Sequence, residues 1–418
     1  MFGLVLGWAV AGMAVPTHAQ PDPELAPNPA VIETLASLPP GQAVLLGEAR
    51  VTGEFNDTAR EHRLDVTGPR SRDYCLKMVW APDRGRVLFC GANHGVPHRL
   101  NDVWEFDLAA LTWVMLYAPD HNRSYLGLGD DPSDVVFRDG VLKTERGGPA
   151  VVGHTWWGLA YDTERRRLQF MNTWVTNQPE VVAELGGDPD QLDPGPPLWE
   201  FDPATRQWHH HLVDEPFPRA PFGGMLEYLP ELGGTLWHTN NWQMRQSWLF
   251  EADPPRWRDL GANARPADVN DGSARAEEQA GDFESQAPEP EQIAWHDPGR
   301  GLLVAHRHWS THHYDIAANR WQLVREGRED DGVTPWGHDA RSVVMHDPES
   351  GLGWLLEFET NRLWAYDPDQ VEWRAWQPAG DAMPDGRKRL AYFDPAHGVI
   401  VVIDGTTVWA CRPPEGVE

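Results

Sequence analysis

The chain is patterned in short apolar runs, each preceded by a tight polar turn. The runs Val87-Leu88-Phe89, Leu168-Gln169-Phe170, Thr235-Leu236-Trp237, Leu302-Leu303-Val304, Leu352-Gly353-Trp354 and Val399-Ile400-Val401 follow turns of similar chemistry. Those turns include Ala81-Pro82-Asp83-Arg84-Gly85, His296-Asp297-Pro298-Gly299-Arg300 and Phe393-Asp394-Pro395-Ala396-His397. Apolar runs bounded by Pro, Gly and Asp predict β-hairpins. Six hairpins predict six copies of one unit.

A second pattern follows the first in the same copies: aromatic-x-aromatic-Asp, with a Trp nine residues after the opening ring. It reads Trp104-Glu105-Phe106-Asp107 with Trp113, Trp199-Glu200-Phe201-Asp202 with Trp208, and Trp248-Leu249-Phe250-Glu251 with Trp257. The next two are His312-His313-Tyr314-Asp315 with Trp321 and Trp364-Ala365-Tyr366-Asp367 with Trp373. A sixth, Trp409-Ala410-Cys411, runs into Pro413-Pro414 before any partner Trp. The shorter steps between copies approach the roughly 50-residue period of one family of propeller blades. The predicted fold class is all-β, a six-bladed β-propeller of four-stranded antiparallel blades.

The sixth blade lacks its own fourth strand, and a closed ring leaves no free edge. The strand-like stretch 42–47, with no partner nearby in sequence, is expected to fill that place. The domain reading is therefore a signal segment at 1–19, a flexible stretch at 20–41 and one propeller over 42–414. Its blades lie at about 70–116, 150–212, 219–261, 288–325, 335–377 and 384–412.

Composition narrows the setting. The apolar run from Phe2 to Val10 and the small residues around Ala19 fit a secretory signal, so a secreted, periplasmic or extracellular location is expected. No later run reaches the roughly 18 apolar residues of a membrane helix. A net charge of −28 repels phosphate backbones and argues against nucleic acid. Calcium in the acidic loops is compatible with this charge. Cys75 and Cys90 flank a short turn on paired strands, placed either for a disulfide or for two buried thiols, with Cys411 left over.

The turn, Asp and Trp positions over about residues 70–412 resemble those of the kelch-type β-propellers, the superfamily that includes the central domain of galactose oxidase. The chain departs from that pattern where kelch repeats end strand 2 with Gly-Gly. It has Cys90-Gly91, Met171-Asn172, His238-Thr239, Ala305-His306, Leu355-Leu356 and Val402-Ile403 there. The resemblance to galactose oxidase would imply copper held by two Tyr and two His. Tyr74 beside Cys75 is present, but the mouth columns offer no second Tyr, so no cofactor is assigned. Resemblance to secreted six-bladed kelch proteins implies a second chemistry, sugar mutarotation or epimerisation, with Glu357 and either Arg307 or His308 as acid and base.

In a four-stranded blade the 1-2 and 3-4 turns share one face of the disc, and the 2-3 loops and blade connections share the other. All long excursions, about 117–152, 174–197 and 262–290, fall on that second face, which is expected to be the working surface. An Asp139-Gly140 hairpin is predicted inside the first excursion. Around the channel mouth the aligned positions are Asp73, Asn93, His94, His154, Asn172, Asn240, Asn241, His306, Arg307, His308, His338, Asp339, Glu357, Arg387 and Asp404. Amide, imidazole and carboxylate groups beside Trp174, Trp242 and Trp309 suit a glycan or other polar ligand, and a partner protein is the other expected occupant. The i, i+2 pair His306 and His308 lacks a third metal ligand in sequence. The functional expectation is a binding module, with a sugar-active enzyme as the alternative.

Overall fold

Each complete copy of the repeated phrase folds as the outer hairpin of a four-stranded antiparallel sheet. The second aromatic residue and the Trp face each other across strands 3 and 4: Phe106 and Trp113, Phe201 and Trp208, Phe250 and Trp257, Tyr314 and Trp321, Tyr366 and Trp373. Their ring centroids lie 4.8–5.3 Å apart, the separation at which tilted aromatic pairs are attractive beyond their burial. The Asp of the phrase ends strand 3 and accepts backbone N–H groups of the 3-4 turn, as Asp202 does from Ala204 and Thr205 and Asp367 from Asp369 and Gln370. A carboxylate here replaces the strand partners that the turn lacks. The 1-2 turns end on a left-handed residue, glycine in five blades and Arg166 in the second.

The computed structural model describes residues 25–70, 72, 74–91, 100–120, 134–150, 152–153, 155–171, 178–193, 198–211, 213–218, 223–238, 246–262, 286–329, 331–386 and 389–416. Six sheets form a β-propeller. Their innermost strands are Val79–Ala81, Leu159–Asp162, Met225–Leu229, Ile293–Asp297, Ser342–Asp347 and Leu390–Asp394. Each packs beside the next, and Leu390–Asp394 returns to Val79–Ala81 to complete the ring. Among the described residues no helix is long and apolar enough to cross a membrane.

The ring is closed by the N-terminal part of the chain. Strand β1 (Gln42–Glu48) pairs antiparallel with Thr407–Cys411 and becomes the fourth strand of blade six. Two residues later, β2 (Arg50–Gly53) adds in parallel to the outer strand Thr112–Tyr117 of blade one. One continuous segment thus binds the last blade to the first.

The stretch read as flexible, 20–41, is instead ordered from residue 25, and it contains helix α1 (Pro29–Ser37). Asn28 caps its start by accepting from Ala30 N at 3.1 Å, and Pro29 takes the first position, where its missing N–H costs nothing. Val31 and Leu35 are buried. Arg412 donates to the Leu35 and Leu38 carbonyls at 2.8 Å, capping the helix end from the far end of the chain.

The first two long excursions also hold regular structure. The predicted Asp139-Gly140 hairpin is present as Val135–Arg138 and Val141–Thr144, and residues Gln178–Glu184 form a helix. Val135, Leu142 and Ala150 pack with Val182 from that helix into a small separate core. The disulfide alternative for Cys75 and Cys90 is corrected: both are buried free thiols, with Cys75 Sγ donating to the Cys90 carbonyl at 3.2 Å. Burial pushes the Cys75 thiol up to about 12 despite the nearby Arg72, so it stays protonated.

Candidate functional site

Two sets of residues converge on the propeller axis, one toward each face. The long-loop mouth is built where blades one, four and five converge. His308, in the 2-3 turn of blade four, exchanges backbone hydrogen bonds with Gly337, at 2.6 and 2.7 Å. This bridge brings His308, Trp309, Trp336 and His338 into ring contact at 5.6–6.4 Å. Tyr74 meets His338 edge-on at 5.7 Å from blade one. Tyr74, Glu291 and His308 all hold positive φ, at 52, 69 and 50°. Non-glycine residues in that region are strained by roughly 1–3 kcal/mol each, and such strain concentrates at working sites.

At the centre of this cluster His338 stands between two carboxylates, with Nε2 3.4 Å from Glu291 Oε2 and Nδ1 3.2 Å from Asp339 Oδ1. Burial works against the charged ring, but the two carboxylates outweigh it and hold His338 up to about 9. Asp339 is raised to about 6, chiefly by burial and in spite of His338. Glu291 is held below its ordinary range, because His338 overcomes its own desolvation. The Ala340 amide approaches the same Nδ1 at 3.1 Å. Asp339 Oδ1 and the charged His338 ring form an ion pair, while Asp339 Oδ2 has no hydrogen-bond partner among the described residues. Trp336 Nε1 is likewise buried without an acceptor. A buried donor and a buried acceptor left unpaired are costly, and a ligand that satisfies them recovers that cost.

The other sequence-derived residues divide into three groups. Arg307 closes the edge of the mouth, donating to the Pro290 carbonyl at 2.7 Å and pairing with Glu289 at 2.5 Å. Glu357 accepts from Trp336 N at 3.3 Å and from the Thr360 hydroxyl, so it supports the Trp336 segment. Asp404 is exposed on the turn between the second and third strands of blade six. Asp73, Asn93, His94, His154, Asn172, Asn240, Asn241 and Arg387 lie outside the described residues.

His306 belongs to the fold. It is buried, with Nδ1 3.0 Å from Thr311 Oγ1 and Nε2 3.0 Å from the Pro335 carbonyl. Because a carbonyl only accepts, Nε2 carries the proton and Nδ1 accepts from Thr311. That leaves the Thr311 oxygen to receive Trp373 Nε1 from blade five at 2.9 Å. His238, Ser247, Trp321 and the Pro288 carbonyl repeat this clamp between blades three and four. Where the resemblance would place Gly-Gly, the chain has put an interblade hydrogen-bond relay. Burial drives His306 down to about 3, which keeps it neutral for that role.

Below this mouth the axis is crossed by side chains. Lys77 of blade one donates to the Leu226 carbonyl of blade three at 2.7 Å and pairs with Glu227. Trp157 of blade two donates to the Ala294 carbonyl of blade four at 2.8 Å. Blades that are not neighbours can meet only across the axis, so these contacts form a floor. On its other side a cavity of about 330 Å³ opens to the short-turn face. Sequence reading missed it, yet a signal was present: Lys77 and Glu227 are charges inside otherwise apolar strand-1 runs, Cys75-Leu76-Lys77-Met78-Val79 and Met225-Leu226-Glu227-Tyr228-Leu229.

Among the described residues no group of three or more His, Cys, Asp or Glu side chains is placed to hold a metal ion. No family model matches the chain, and no curated protein does. Solved structures to which it is similar include one from a Nidogen/Laminin complex, at 11% identity over 73% of this chain and 81% of that one, with a TM-score of 0.40. TolB from Acinetobacter baumannii is similar at 11% identity over 73% of this chain and 54% of its own, with a TM-score of 0.37. The extracellular domain of the BT4673 system of B. thetaiotaomicron is similar at 10% identity over 84% of this chain, with a TM-score of 0.42. The match spans 39% of that last chain. At these values the propeller assignment rests on the strand order itself.

Proposed function

We propose that this chain is a kelch-type propeller that acts outside the cytoplasm as a glycan-binding module, through the long-loop mouth. The observation that carries the reading is the pair of buried groups without a partner among the described residues, Asp339 Oδ2 and Trp336 Nε1, beside the ring cluster. A sugar hydroxyl both donates and accepts, so one ligand group can serve the carboxylate and another the indole. Trp309, Trp336 and Tyr74 offer the flat faces on which a pyranose ring stacks. His338, charged at neutral pH, and Arg307 add donors for ring and exocyclic oxygens. Glycan-array binding by the full chain that is abolished in Trp309→Ala, with its thermal unfolding unchanged, supports this reading. Absence of any glycan binding by the native protein sinks it.

A second reading, a sugar-converting enzyme, is favoured by one feature: Asp339 and His338 titrate near 6 and 9 and so bracket neutral pH. The acid and base would then be Asp339 and His338, in place of Glu357 with Arg307 or His308. Faster anomer exchange of a reducing sugar, lost in Asp339→Asn, would move the assignment to this class.

A further inference from the structure

The cavity on the short-turn face is separated from the long-loop mouth by the Lys77 and Trp157 crossings. Its walls come from strand 1 of all six blades and include Trp80, Tyr161, Tyr228, Trp295, Tyr392 and Phe393. Trp80 and Tyr392 lie nearly parallel, 17° apart in plane with centroids 6.5 Å apart. A volume of about 330 Å³ is at the small end of the range for ligand pockets, enough for one or two rings. The polar groups converge at the floor, where Lys77 and Glu227 are paired with side chains 8% and 13% exposed.

We propose that this cavity is a second ligand site, which takes a small uncharged aromatic molecule of the phenol or benzamide class with its polar end on Lys77 and Glu227. The aromatic walls select a flat apolar body. The floor selects the head group. Lys77 and Glu227 already neutralise one another, so a ligand bringing a full charge would add an uncompensated one in a desolvated place. A neutral hydroxyl or amide instead accepts from the ammonium and donates to Glu227, of which Oε1 alone holds Lys77 in the contacts seen. The shifts agree in direction: burial draws Lys77 down and Glu227 up, each against the pull of its partner, so neither charge is held in reserve for an ionic ligand. At the rim His296 is already paired with Glu231 at 3.0 Å, and His346 lies 3.8 Å from Asp297. This site is independent of the proposed glycan role.

The test uses the full chain and four probes of one size: phenol, benzamide, benzoate and benzylamine. Saturation-transfer NMR and calorimetric titration are run on the native protein, on Trp80→Ala, on Tyr161→Leu and on Trp309→Ala. Phenol and benzamide are expected to bind at least tenfold more tightly than benzoate and benzylamine. That binding is expected to fall about tenfold in Trp80→Ala and in Tyr161→Leu, and to be unchanged in Trp309→Ala at the other mouth. If one wall variant fails to fold, the other decides. The proposal is overturned if none of the probes binds, if a charged probe binds as tightly as the neutral ones, or if both folded wall variants bind like the native protein.

Discussion

The two mouths of the channel are made from different parts of the same repeat. The short-turn mouth is lined by strand 1 itself, so its wall residues are held by the ladder to strand 2 of their own blade, and the Lys77–Glu227 ion pair joins two blades at its floor. The long-loop mouth is lined by the residues just before strand 1 and just after strand 2, where pairing has stopped. There the chain adopts left-handed backbone at Tyr74, His308 and Glu291, and Asp339 Oδ2 is buried without a hydrogen-bond partner among the described residues. Regular strand gives a rigid, mostly apolar wall, and irregular loop gives polar groups with unmet demands. The contrast leaves a preformed wall at one end of the axis and unsatisfied polar groups at the other.

The largest expected effect removes the difference altogether. Deleting residues 25–53 takes away α1, β1 and β2 and reopens the edge of blade six, so cooperative thermal unfolding followed by circular dichroism should disappear. A truncated chain that melts like the full one breaks the closure account.

Next comes the short-turn mouth. Lys77→Met leaves Glu227 alone in a buried place and should cost about 3–5 kcal/mol in urea denaturation at pH 7. The double variant Lys77→Met, Glu227→Leu should recover most of that. The loss in the single variant should shrink as pH falls, because the orphaned Glu227, already raised by burial, takes up a proton.

At the long-loop mouth His338→Ala should cost less, about 2–3 kcal/mol at pH 7, because that site is more open. The sign of its pH dependence is distinct. A histidine raised to about 9 in the folded state contributes fully below the ordinary value near 6.5 and loses that contribution as pH rises through 9. The gap between native protein and variant should therefore close above pH 9. A gap that instead widens there would show that His338 is held neutral.

The smallest effect is the most informative about function. Trp309→Ala should change stability by about 1 kcal/mol or less while abolishing glycan binding. Equal loss of both would mean that the ring belongs to the fold, as His306 does.

The repeated phrase was readable because each of its parts acts over a few residues. Phe201 and Trp208 meet across one hairpin, and Asp202 caps the turn between them. The closing strand was readable from a defect, since an unfinished blade six needed an outer strand and 42–47 had no local partner. Other features were not readable in this way. His306 and His308 are two residues apart and chemically alike in sequence, yet one is a neutral link to Trp373 of the next blade and the other lies open at the mouth. Glu357 was legible as a candidate acid or base, but its hydrogen bond from Trp336 N was not. Helix α1 had a legible cap in Asn28-Pro29, but the carbonyls at its other end are met by Arg412, far along the chain.

The amino-acid sequence by itself determined the blade, its number and its closure, because hairpins, turn caps and ring pairs are short-range physics repeated six times. Only the tertiary structure decided which charges meet. Lys77 and Glu227, and His338 with Glu291 and Tyr74, come together because six blades curve round one axis, and distance across that axis is not encoded in separation along the chain.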